Sequence, residues 1–207
     1  MESTGTARRA RRHIARSLAS LNGDGRYGVA LLVLVACLLL PSAAGDTGRE
    51  LLRYERGALA AGEYWRLLTA HVVHLDSRHA ALNSLGLVLL WALFARDFTP
   101  RRWLAITIAA ALAIDAGLWW LAPGIQWYVG ASGVLHGVMA AGTLAHLRRG
   151  DFDGWILAAF LAGKLALEQF VVLPFAGGAP VVVQAHLYGA IGGLTAALWL
   201  PSRREPL

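Results

Sequence analysis

The sequence predicts an all-α polytopic membrane protein: a bundle of six transmembrane helices with both termini in the cytoplasm. Three observations predict it. The 207 residues are 57% hydrophobic and only 15% charged, which leaves too little polar surface to keep the chain in water. The apolar residues fall into six stretches, 27–44, 79–95, 103–122, 132–147, 154–173 and 182–200. Each approaches or reaches the ~17–25 residues a helix needs to cross hydrocarbon. The arginines then fall between the stretches with a bias. Thirteen lie before the first stretch, between two and three, between four and five, and after six; the other five share one loop with five acids. The positive-inside rule places both termini in the cytoplasm.

Taken in order, residues 1–25 are basic and polar, a cytoplasmic tail with Arg8, Arg9, Arg11, Arg12 and Arg16. The tail and first apolar run resemble a signal peptide, and Pro41-Ser42-Ala43-Ala44-Gly45 could pass for a cleavage site. Retention is expected, because five further spans need a first one to make the count even. The single cysteine, Cys37, lies in mid-span, so no intrachain disulfide can form. The external loop 45–78 mixes Leu51, Leu52, Tyr54, Tyr64, Trp65 and Leu68 with its charges, the pattern of a segment lying in the membrane interface. The loops 123–131 and 174–181 are short and uncharged, and 201–207 is a short cytoplasmic tail. Residues 26–200 thus form one domain.

A net charge of +6 invites a nucleic-acid reading, but arginines interleaved between spans do not form a basic patch. Anionic lipid is the partner this basicity implies, and no nucleic acid is expected.

Depth carries the functional argument. With the amino terminus inside, spans two, four and six run from outside to inside. Span two opens with His79 and reaches Asn83 one turn later; span four opens with Ser132. In span six His186 follows Val182 by one turn, about 6 Å at 1.5 Å per residue. Three polar clusters distant in sequence therefore converge on the outer third of the bilayer. A lone membrane serine usually bonds back to its own helix, and a lone histidine or asparagine is often interhelical glue. Four such residues at one depth indicate a site.

The roles follow from chemistry. A serine hydroxyl is a weak nucleophile unless a base takes its proton, and His186 is the base at matching depth for Ser132. The tetrahedral intermediate needs donors for its oxyanion. Asn83 and His79, at i+4 and i on one helix face, can supply them, and the backbone N–H of Ser132 at a helix start adds another. Gly130 and Gly133 let the chain turn tightly and a substrate come close. In span six Gly189 and Gly193 recur at four-residue spacing with Ala185 and Ala197, which lets helix backbones approach. Position 134 is valine, so there is no Gly-x-Ser-x-Gly elbow, and no His-Glu-x-x-His exists. His71, His74, Asp76 and His79 match no metal spacing, so neither a metal nor a cofactor is expected.

These residues resemble the rhomboid family of intramembrane serine proteases. Trp65-Arg66 in the first external loop, then His74, then His79-x-x-x-Asn83 follow the family's order and spacing. Gly130-Ala131-Ser132-Gly133 resembles its nucleophile motif, and Ala185-His186-x-x-Gly189 its base motif. The resemblance covers roughly residues 27–200. It implies a six-transmembrane-helix rhomboid bundle, a Ser132–His186 dyad, Asn83 and His79 at the oxyanion, and a structural, interface-embedded loop at Trp65 and Arg66. Many rhomboids carry a tyrosine one turn after the serine, packed on the histidine; here that position is His136. With the small size and the run Ser132-Gly133-Val134-Leu135-His136-Gly137, the chain is most similar to the rhombosortase branch. That likeness implies a bacterial inner-membrane enzyme with its site towards the periplasm. Its substrate would be a membrane-anchored protein trimmed of a C-terminal apolar tail with a Gly-Gly-type signal.

Other charges need partners. Lys164 and Glu168, at i and i+4 in span five, are expected to pair with each other facing the bundle, a substrate-tail contact being the sharper alternative. Asp115 lies within span three, and His146 is expected at the cytoplasmic interface. Three functional classes compete: a serine protease (general rhomboid or sorting enzyme), a catalytically dead rhomboid-like binder, and a transporter. Ser132 and His186 together weigh against the dead protein. The lack of paired half-sequences weighs against the transporter.

Overall fold

The computed structural model describes residues 21–22, 25–170 and 181–201. The terminal tails, apart from a few residues, and the loop 174–180 with the end of the fifth stretch lie outside the described residues. Among the described residues the chain is helical almost throughout. Helix α1 (Gly28–Leu39) runs through a 3-10 segment (Leu40–Ala44) into α2 (Gly45–Leu52). The short helices α3 (Arg56–Ala60) and α4 (Arg66–Thr69) follow, then α5 (Ser77–Phe94). Helix α6 (Pro100–Ala116) ends in a π-helical turn, Gly117–Leu121. The last three are α7 (Ser132–Arg149), α8 (Phe152–Phe170) and α9 (Val183–Trp199).

Two helical runs, Gly28–Leu52 and Pro100–Leu121, are long and apolar enough to cross a membrane by length and composition. The remaining long helices, α5, α7, α8 and α9, reach 17 to 19 residues and carry Asn83, Ser132, Glu168 and His186. The surface is inverted relative to a water-soluble protein. Leu32, Leu85, Leu104, Leu112, Phe160 and Leu198 point outward, while Asn83, Asp97, Asp115, His146, Glu168 and His186 are buried. An exterior with this many large apolar side chains, around buried polar ones, is suited to lipid rather than water.

Two features depart from the expected pattern. The segment from Gly45 is not wholly a loop, because the first helical run continues to Leu52. The fold is also not purely α. Strand β1 (Tyr54–Glu55) pairs antiparallel with β2 (Trp127–Tyr128), Tyr54 opposite Tyr128. The pairing satisfies backbone groups that two buried loops would otherwise leave unbonded. Buttresses surround it. The Arg56 guanidinium donates to the carbonyls of Leu118 and Trp119 at 2.6 and 3.0 Å, capping the end of the π turn. Arg66, 6% exposed, donates to the carbonyls of Glu50 and Arg53 and to the Glu63 carboxylate. Trp65, Tyr64 and Leu68 stay on the outside, as a loop seated in an interface requires.

Helix α7 is the central element, packed by α6, α8 and α9. Its crossing with α9 is close because glycine meets glycine. A Cβ on Gly189 would strike the Gly133 carbonyl, and a Cβ on Gly193 the Gly137 carbonyl. Two small-xxx-small stripes, Gly133/Gly137 and Gly189/Gly193, therefore face each other. Gly189→Ala is expected to cost about 1–3 kcal/mol, because its clash is with backbone and cannot be relieved by a rotamer. It should also lower activity, since Ser132 precedes one glycine of the pair and His186 stands one turn before the other. Thermal unfolding in detergent and a cleavage assay check this against Gly163→Ala, where a Cβ meets nothing within 4 Å. Equal stability and activity for Gly189→Ala and wild type would refute the close-crossing argument.

At the opposite end of α7 from Ser132, His146 is not interfacial but fully buried. Its Nδ1 meets Asp153 at 2.9 Å and its Nε2 meets Asp97 at 3.2 Å. Arg149 also binds Asp97, and Arg148 donates to the Ala197 and Leu198 carbonyls at the end of α9. The burial of His146 depends on two other segments, those of Asp97 and Asp153, folding over it.

Candidate active site

Strand β2 delivers the chain to the start of α7, and the approach is held rigidly. Gly130 donates its N–H to the Ala70 carbonyl at 2.8 Å. The Tyr128 hydroxyl donates to the Gly130 carbonyl at 2.6 Å; burial pushes this phenol up, so it remains a donor. Gly130 has φ +116°, and a Cβ there would stand 2.7 Å from Cε1 of His79. Only glycine fits both the backbone and the space. Ser132 then opens α7, where first-turn N–H groups lack helical acceptors.

His186, one turn into α9, reaches Ser132: Nε2 lies 2.9 Å from Oγ. Its ring stacks on His136, with centroids 4.1 Å apart and planes inclined by 14°. The imidazole at this position therefore provides a ring face for His186, as the tyrosine of many rhomboids would. His136 Nδ1 lies 2.7 Å from the Ser132 carbonyl. A carbonyl only accepts, so this nitrogen carries the proton.

The other nitrogen of His186 has a partner that sequence analysis did not assign. Nδ1 lies 2.9 Å from Oε2 of Glu168 on α8. The expected Lys164–Glu168 pair is present on the other carboxylate oxygen. The available signal is depth alone: in the six-span topology that the sequence predicts, Glu168 falls near the outer end of span five, level with His186. Nothing in the sequence said that it faces α9.

Ser132 and His186 line a cavity of about 1010 Å³. Asn83 and His79 line it too, together with apolar side chains of α5 and α8 such as Leu89 and Phe160. Asn83 is buried and its amide donates to the His79 carbonyl at 3.2 Å. His79 is held from both sides: its backbone N–H donates to Asp76, which caps α5, and its Nδ1 accepts from Leu75 N–H at 3.4 Å. The remaining members of the metal-like cluster are occupied separately. His71 pairs with Asp115 at 3.4 Å, and His74 packs edge-on against His79 at 5.0 Å. Burial, with His79 nearby, holds the His74 imidazole down at about 4, so it is neutral at pH 7. Ligand-type atoms do gather among the described residues at His136/Glu168/His186 and at His146/Asp151/Asp153. In both groups most of these atoms already bond protein partners.

A family model described as "Rhomboid domain" matches residues 61–203. The chain belongs to the rhomboid family. It is similar to "Putative rhomboid protease YdcA" of Bacillus subtilis (strain 168), 26% identical over 147 residues, covering 71% of this chain and 72% of that protein. It is also similar to "Rhomboid protease GluP" of the same organism, 32% identical over 117 residues. That match covers 55% of this chain but 22% of GluP, a much longer protein. As a rhomboid, the protein is an intramembrane serine protease. The matched stretch holds Asn83, Ser132, Glu168 and His186 and leaves α1 and α2 outside it.

Proposed function

We propose that this rhomboid cleaves a membrane-anchored protein near the outer membrane face through Ser132 as nucleophile and His186 as base. The observation that carries the reading is the 2.9 Å approach of Ser132 Oγ to His186 Nε2 at an apolar cavity large enough for a peptide segment. In the reaction Ser132 Oγ attacks the scissile carbonyl carbon while its proton passes to Nε2. The carbonyl oxygen becomes an oxyanion, stabilised by the Asn83 amide, the His79 ring N–H and the backbone N–H of Ser132. Collapse expels the amine, which takes the proton from His186. Water then attacks the acyl carbon as it gives a proton to the same nitrogen; that proton returns to Ser132 Oγ as the bond from Oγ to the acyl carbon breaks and the carboxylic acid leaves.

The finer reading includes six spans, cytoplasmic termini and an inner-membrane site opening towards the periplasm; arginine placement supports it, and anionic lipids would contact those arginines. His136 in the Ser132–Gly137 run favours a rhombosortase over a general rhomboid protease. The substrate is then a single-span protein carrying a C-terminal apolar tail with a glycine pair at its outer boundary. A helix shields its carbonyls, so the scissile stretch must unwind first. Glycine makes that easier by roughly 1 kcal/mol per residue relative to alanine.

A fluorophosphonate probe and a membrane preparation test both levels. Labelling of Ser132 that requires His186 is expected; labelling that persists unchanged in His186→Ala would overturn the assignment of the base. Replacing the substrate's glycine pair with leucines is expected to stop processing. Unchanged processing would remove the sorting role and leave a general rhomboid protease.

A further inference from the structure

We infer that Glu168 is a positioning residue for His186, the third member of a serine–histidine–glutamate relay whose carboxylate Lys164 clamps from its other side. The inference rests on the proposed roles of Ser132 and His186.

A carboxylate can only accept, so the 2.9 Å contact of Glu168 Oε2 with His186 Nδ1 assigns the ring proton to Nδ1. Nε2 then holds its lone pair towards Ser132 Oγ, the tautomer that a base requires. Without an acceptor at Nδ1, the ring could carry its proton on Nε2 and would face the serine as a donor. The carboxylate also has a charge role. When Nε2 takes the serine proton, the imidazolium forms beside an anion already in place, in a setting where water screens little.

A buried carboxylate needs partners for both oxygens. Glu168 is 9% exposed, and its oxygens are divided: Oε2 meets His186 and Oε1 meets Lys164. Lys164 sits one turn earlier on α8 and lines the cavity. It balances the charge of Glu168 and stops the carboxylate from swinging away. His136 stacks on the imidazole face, so the ring is held at its edge by Glu168 and on its face by His136. Three helices thus fix one side chain: α9 carries it, α7 stacks against it and α8 bonds to it.

The test uses the full chain in lipid bilayers with Glu168→Gln, Glu168→Asp and Lys164→Met. The readouts are the rate and end-point of fluorophosphonate labelling, kcat and KM, and the pH profile. Glu168→Gln is expected to label Ser132 to the wild-type end-point but about 10²–10⁴-fold more slowly, with kcat reduced in parallel and KM within about twofold. The groups facing the imidazole are Ser132 and His136 from α7, Lys164 and Glu168 from α8, and His79 and Asn83 from α5. Glu168 is the anion among them, so its loss moves the acid limb of the rate profile to lower pH. Glu168→Asp keeps the charge and is expected to recover part of the rate. Lys164→Met is expected to slow labelling about tenfold or less.

A wild-type rate in Glu168→Gln overturns the inference. So does a slowed variant with an unmoved acid limb and no recovery in Glu168→Asp, because that pattern belongs to a purely structural residue. If Glu168→Gln does not fold, Glu168→Asp decides: a wild-type end-point at a reduced rate supports the relay, and a reduced end-point at a wild-type rate overturns it. Failure of the underlying site looks different: wild-type protein is then unlabelled, or its labelling is indifferent to His186→Ala.

Discussion

Ser132→Ala and His186→Ala are each expected to abolish cleavage, while folding and membrane insertion stay intact. Ser132 gives up one hydrogen bond at a cavity wall; His186 also gives up its bond to Glu168 and its stack on His136, but it lines the same cavity, so water can reach the groups it leaves. The close approach of α7 and α9 depends on Gly133, Gly137, Gly189 and Gly193, which neither substitution touches. The doubly substituted protein should be no worse than either single one. Once the base is gone the serine is a poor nucleophile, and once the serine is gone the base has nothing to activate. Substrate cleavage in reconstituted bilayers, with thermal unfolding as the folding control, checks both. Appreciable turnover by Ser132→Ala would end the mechanism.

Asn83→Ala is expected to lower kcat by about two to three orders of magnitude, the usual effect of losing one oxyanion donor. KM should change little, because the donor serves the transition state more than the substrate. The Asn83 amide donates to the His79 carbonyl at 3.2 Å, a long bond within one helical turn. It can be exchanged for the stronger bond to a developing anion. Steady-state kinetics separate the alternatives: a raised KM with kcat untouched would make Asn83 a binding residue.

How much of this was legible beforehand follows from what a helix transmits along a sequence. Residue number converts to depth at 1.5 Å per residue, so a topology suffices to bring Ser132, His186, His79 and Asn83 to one level. It also suffices to expect that Lys164 and Glu168 pair, since i and i+4 share a face. The stripe Gly189/Gly193 announces a close crossing without naming its partner. Gly133 suits a tight turn and Gly137 belongs to the family-like run, but nothing in their spacing names the helix they meet.

The direction in which a side chain points around its helix is another matter. It depends on how neighbouring helices rotate and approach, and those are decided by long-range packing. By spacing Glu168 is one half of a local pair with Lys164, whereas packing of α8 near α9 gives its second oxygen to His186. His146 was placed at an interface by height alone, whereas Asp97 and Asp153 close over it from two other segments. The pairing of β1 with β2 joins loops more than 70 residues apart, and two-residue strands leave no periodicity to read. His136 had the right spacing to follow the serine, but only the crossing of α7 and α9 lays its ring on His186. The sequence by itself determined the family motifs, the spacing that makes Ser132 and His186 candidates for one depth, and the glycines that permit close approach, because these reside in composition and in distance along single helices. The tertiary structure alone decided what meets the second nitrogen of His186, because that depends on the rotation and spacing of three separate helices.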